Sequence, residues 1–226
     1  MAVELNGYVF PEGRVTVEER LEEVGGQDGR VVVLRGLTAP GATVEAVEVA
    51  LDAVLAASSE EGLVALSLRA GRRLWVRRTG FTREPSRGGR VGSYLLTLEA
   101  EVPWEESVEE TSRYWAVTAL EDAIPADTAG NTWTLPRVTL TALGALESPG
   151  ITDGMRTIAC GGTVSAGETV VFDGPAGVVT RDGVDVTAYA TGDFPRVAPG
   201  GGTLAYTAAG GIHQASAEAA WRDRWW

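Results

Sequence analysis

The chain is short of the residues that most chemistry requires. One cysteine, Cys160, leaves no partner for an internal disulfide, and one histidine, His213, removes most metal-ligand and general-base arrangements. Lysine is absent, so all 19 basic residues are arginine, which fits either a GC-rich coding genome or a preference for bidentate pairs at interfaces. No apolar run is long enough to cross a membrane as a helix. Residues 1–14 include Glu4 and lack the basic start and apolar block of a secretion signal, so a soluble chain without a leader is expected. There is no Gly-x-Ser-x-Gly elbow, no Asp-x-Asp-x-Asp-Gly run and no repeat of fixed period. Basic residues are too few to balance 31 acidic ones, and a net charge of −12 argues against nucleic acid as a partner, because duplex binding neutralises phosphates with arginine and lysine. These shortages predict a protein that is not an enzyme and needs no cofactor or metal.

What is present is a chain of 226 residues, 44% hydrophobic and 22% charged, enough for one large domain or two small ones. Asn6-Gly7 between Val3-Glu4-Leu5 and Tyr8-Val9-Phe10 predicts a small hairpin. Residues 15–24 fit a strand or a charged helix, and Gly25-Gly26 ends them. The β-branched run at residues 30–35 predicts a strand. Val44, Val47, Leu51, Val54 and Leu55 recur at helical steps, with Thr43 as N-cap and Gly62 as a stop. Against that helix a hairpin of residues 63–68 and 73–78 packs its alternating apolar side chains.

Between residues 69 and 90 lie eight arginines (69, 72, 73, 77, 78, 83, 87 and 90) with Glu84 as the lone acid. The tip, residues 83–90, is polar and glycine-rich and reads as a projecting loop. A strand returns at residues 94–102 and ends at Pro103-Trp104. The acidic residues 105–113 then read as a solvated linker, dividing the chain into domains 1–104 and 114–226. Residues 115–127 match no pattern. Beyond them, short apolar runs at 133–135, 138–140, 156–159, 170–172, 178–180, 184–189 and 204–206 alternate with turn signals, which predicts an antiparallel sandwich or jelly roll.

The end of the chain is the most telling stretch. Gly192-Asp193-Phe194-Pro195 and Pro199-Gly200-Gly201-Gly202 force a reversal, and Ala215, Ala217, Ala219, Trp221 and Trp225 then alternate as a closing strand. A short helix also fits, because alanine favours helices and Trp221 and Trp225 are four apart. This ending, with Glu147-Ser148-Pro149-Gly150, Gly162-Thr163-Val164-Ser165-Ala166-Gly167 and Thr180-Arg181-Asp182-Gly183 before it, resembles the distal tail (Dit) proteins of long-tailed bacteriophages and related phage-like particles. The motifs occur in that family's order over roughly residues 130–226, and the first half is similar in the order of its elements.

The resemblance implies a mainly β protein: a tail-tube-like β-barrel or split barrel with one flanking helix and a long hairpin, then a galectin-like β-sandwich. It implies a homo-oligomeric ring, six-fold in that family, at the tail tip of a virion assembled in the host cytoplasm. The ring's partners would be the tail tube protein and the tail-tip hub, with no membrane and no direct nucleic-acid recognition. A carbohydrate-binding module, using some of the seven tryptophans (75, 104, 115, 133, 221, 225 and 226), and a tail-tube or tube-terminator protein are the other readings. Asp153, Asp173, Asp182, Asp185 and Asp193 suit turn capping better than calcium. In a closed ring one basic and one acidic patch per copy fix orientation, so Arg83, Arg87 and Arg90 are expected to meet Glu101, Glu105 and Glu106 of a neighbour. A solvated face paired within its own subunit is the alternative for the same arginines.

Overall fold

Asn6 and Gly7 both hold positive φ, 48° and 82°, as a two-residue reversal between twisted strands needs. They join β1 (Glu4–Leu5) to β2 (Tyr8–Val9), the expected hairpin. The computed structural model describes residues 2–24, 26–58, 62–85 and 90–226. It divides into two units, Met1–Val108 with Trp226, and Glu109–Trp225, each with its own core.

In the first unit the stretch open to two readings is a strand. β3 (Val15–Val24) pairs residue for residue with β4 (Gln27–Leu37), from Val15 opposite Gly36 to Val24 opposite Gln27. The helix α1 (Val44–Ala57) begins where the Thr43 hydroxyl accepts from Ala46 N at 3.2 Å. It buries Val47, Leu51 and Val54, but Val44 is exposed, and it stops at Ser58 rather than Gly62. β5 (Val64–Ser67) turns through Gly71 into the long β6 (Arg72–Pro85), and β7 (Gly92–Ala100) returns. β7 alternates strictly, with Tyr94, Leu96, Leu98 and Ala100 buried on the α1 side. Strand order is β2-β1-β5-β6-β7-β4-β3. Its two ends do not pair among the described residues, so the sheet stays open where a closed barrel was one expectation.

Residues 105–113 are not a linker. β8 (Glu105–Ser107) pairs with β6, Val108 N donates to Gly71 O at 2.9 Å, and β9 (Thr111–Val117) already belongs to the second unit. The acidic run misled because its carboxylates face arginines instead of water.

The second unit is a two-sheet antiparallel sandwich. One sheet runs β10 (Ala123–Ala126), β20 (Gly202–Thr207), β13 (Gly150–Thr152), β14 (Thr157–Cys160), β19 (Ala190–Gly192). The other runs β18 (Val184–Asp185), β17 (Val178–Arg181), β16 (Thr169–Asp173), β11 (Arg137–Ala142), β22 (Ala215–Trp221), β9. A small third sheet joins β12 (Leu146–Glu147) to β15 (Thr163–Val164) and β21 (Gly210–Gly211). Ile151, Ile158, Leu204 and Tyr206 from the first of these sheets share one core with Val138, Leu140, Val170 and Phe172 from the second.

Three readings change here. Residues 115–127 contribute β9 and β10, joined by a turn that the Asp122 carboxylate closes by accepting from Thr118 N and Ala119 N at 2.6 and 2.9 Å. Residues 133–135 are not a strand but a single bridge, Thr134 exchanging two hydrogen bonds of 2.9 Å with Val197. Residues 184–189 are strand only at β18, because the Asp185 carboxylate accepts from Thr187 N at 2.8 Å and bends the chain into a 3-10 turn at Thr187–Tyr189. The closing segment is a strand: β22 lies between β11 and β9, where Ala215, Ala217 and Ala219 are small enough to sit under the opposing sheet.

Candidate assembly surface

β6 carries the arginine cluster, and its alternation divides the guanidinium groups between neighbours. Arg69, in the turn before it, spans Glu19 of β3 at 3.0 Å and Glu105 of β8 at 2.6 Å, while Arg72 approaches Glu105 at 3.7 Å. Arg73 pairs with Glu106 at 2.8 Å, and the same carboxylate accepts from Trp75 Nε1 at 2.8 Å. Arg77 meets Glu99 and Glu101 across β7 at 3.8 and 3.6 Å. Arg78 donates to Leu55 O at 3.2 Å, one of the carbonyls that the last turn of α1 leaves unpaired. Arg83 is paired to Asp52 of α1 and lies 3.6 Å from Glu48.

Most of the charge reversal is therefore neutralised inside one unit. Of the six residues expected at a subunit interface, Arg83 belongs to α1, Glu106 to Arg73 and Trp75, and Glu101 to Arg77. Glu105 is 2% exposed and has no surface to give a neighbour. Arg90 is exposed and its carbonyl accepts from Gly41 N at 2.8 Å; Arg87 lies outside the described residues. The paired-within-subunit reading fits Arg69, Arg73, Arg77 and Arg83. Sequence reasoning missed Glu19 and Arg30, joined at 2.9 Å with Arg30 7% exposed, because nothing local marks them as partners of residues fifty positions away.

The other candidates fall on structural duties. The Asp153 carboxylate accepts from Met155 N, Arg156 N and Arg196 N at 2.8, 2.6 and 2.8 Å. Burial works to raise its pKa, yet these donors and the Arg156 guanidinium hold it below the usual carboxylate range. Asp173, Asp182 and Asp185 each accept from a backbone N–H in a turn, at 3.0, 2.8 and 2.8 Å. No cluster of three or more histidine, cysteine, aspartate or glutamate side chains fit for a metal occurs among the described residues. Trp133 lies beneath the Arg196 guanidinium at 3.7 Å, and Trp221 Nε1 donates to Asp127 O at 3.2 Å. Cys160 is buried, which pushes its thiol pKa up.

Two features of the first unit remain unpartnered. The outer edge of β3 is unpaired along its length among the described residues, with Val17 and Leu21 exposed on it. β6 pairs with β5 only as far as Val76, so its side away from β7 is equally open over residues 77–85. The sheet face opposite α1 is uncovered within the unit. On it Thr16, Arg35, Leu37, Thr82, Glu84, Ser93 and Leu95 line a shallow groove of about 510 Å³.

No protein-family model and no curated protein matches the sequence. Among solved structures the chain is similar to the Dit protein of phage SPP1, described as a paradigm of the hub adsorption apparatus in phages infecting Gram-positive bacteria. The two superpose with a TM-score of 0.70 over 99% of this chain and 98% of that one, at 11% sequence identity. Sheet, flanking helix, long hairpin and sandwich thus follow one another as in that protein, and the chain has a Dit-like fold.

Proposed function

We propose that this chain is a structural protein of a bacteriophage tail, a distal tail protein forming a ring that joins the tail tube to the tip hub. The observation that carries the reading is the agreement with a phage hub protein along both whole chains, since a shared sandwich alone would match only half. The ring is six-fold, its first unit facing the tube and its sandwich directed towards the hub. It works by shape and burial at interfaces, with no cofactor and no reaction of its own. Its place is the virion tail tip, after assembly in the host cytoplasm.

Negative-stain microscopy and light scattering on the purified chain test this directly. Annuli with about six copies each, binding to tail tubes at one end, are expected. A chain that remains a monomer at every concentration, alone and with tube protein, would remove the reading.

A further inference from the structure

Resting on the ring reading, we propose that neighbouring copies join by strand addition: the outer edge of β3 in one copy pairs with the outer edge of β6, residues 77–85, in the next. Both edges are long and unpaired among the described residues, one of 10 residues in β3 and the other following the last β5 pair at Val76. A register shift in β6 between Arg78 and Gly80 accompanies its departure from β5. Strands β6, β7, β4 and β3 alternate in direction, so β6 of the next copy beside β3 continues the antiparallel order without a break.

The two edges differ in charge. β3 carries Glu18, Glu19, Glu22 and Glu23 against Arg20, whereas residues 77–85 carry Arg77, Arg78 and Arg83 against Glu84. Like edges repel and unlike edges attract, so copies add head to tail, the arrangement that closes a ring instead of stopping at a dimer. Val17 and Leu21 are 38% and 59% exposed on β3, apolar surface that a solitary edge strand ordinarily avoids. The occupant is a second copy because both halves of the joint lie on one unit.

Hydrogen exchange read by mass spectrometry on separated monomer and ring fractions tests the joint. Peptides covering residues 15–24 and 77–85 should both exchange at least about tenfold more slowly in the ring, whereas the sandwich edge strand β18 should not change. Rings whose β3 and β6 peptides exchange as in the monomer overturn the joint and leave the ring reading standing; absence of rings overturns both. Two neighbouring variants, Arg20→Pro and Leu21→Pro, add a control for folding. Adjacent N–H groups in a strand point to opposite sides, so one variant breaks a β4 hydrogen bond and the other only blocks the outer edge. The variant that keeps the monomer's circular dichroism should lose ring formation; if it forms rings normally, the joint is elsewhere.

Discussion

Glu105 and Glu101 are both glutamates beside arginines, and burial makes them unequal. The Glu105 side chain is 3% exposed and shared by two guanidinium groups, while that of Glu101 is 60% exposed. Glu105→Ala should lower stability by about 2 kcal/mol in urea titration, because Arg69 and Arg72 lose a desolvated acceptor, and Glu101→Ala by less than about 0.5 kcal/mol. Reversing Arg83 would repel Asp52 and Glu48 in its own chain, so that variant probes the α1 packing before it probes a neighbour. Gly36 shows the same primacy of context. A Cβ there would lie 2.1 Å from Tyr94 Oη, and Tyr94 is only 5% exposed. Gly36→Ala should cost at least about 2 kcal/mol by the same measurement, and Tyr94→Leu in the same chain should recover part of it. Asp153 brings a pH dependence. Its pKa is depressed in the folded chain, so its contribution is present above the unfolded value near 3.8 and is lost as pH falls through the lower folded value. Asp153→Ala should therefore shift the urea midpoint downwards at pH 7, by about 1–3 kcal/mol of stability, and far less at pH 2.

At the level of elements, α1 was legible in full outline: Thr43, the apolar spacing and the acidic first turn each predicted what is found. Thr43→Ala should reduce stability by about 1 kcal/mol, seen as a lower thermal midpoint, since Ala46 N loses its acceptor. The Asn6-Gly7 hairpin and β22 were equally legible, because their patterns are local. The linker at residues 105–113 was misread for a physical reason. A run of glutamates looks solvated until arginines 33 to 36 residues earlier are placed beside it. The turn at Thr118–Asp122 was invisible because an aspartate side chain closes it without a proline or a glycine.

On the scale of the whole molecule, two separate cores predict two separable unfolding events. Leu96 belongs to one core and Leu140 to the other, both under 2% exposed. Leu96→Ala and Leu140→Ala, at about 2–5 kcal/mol each, should each lower a different calorimetric transition by several degrees. A single transition displaced equally by both substitutions would contradict that independence.

By itself the sequence determined the β-rich class, the one helix, the alternation of the closing strand and the motif order that resembles a phage tail family. These are periodic or local properties, and period 2 or 3.6 is written directly in the spacing of apolar residues. Only tertiary structure decided that most of the arginine cluster is paired at home, that Glu105 is core and that β3 and half of β6 are left with open edges. Such facts depend on which distant strands become neighbours, and the long-range pairing that sets charge against charge leaves no mark on either stretch of sequence alone.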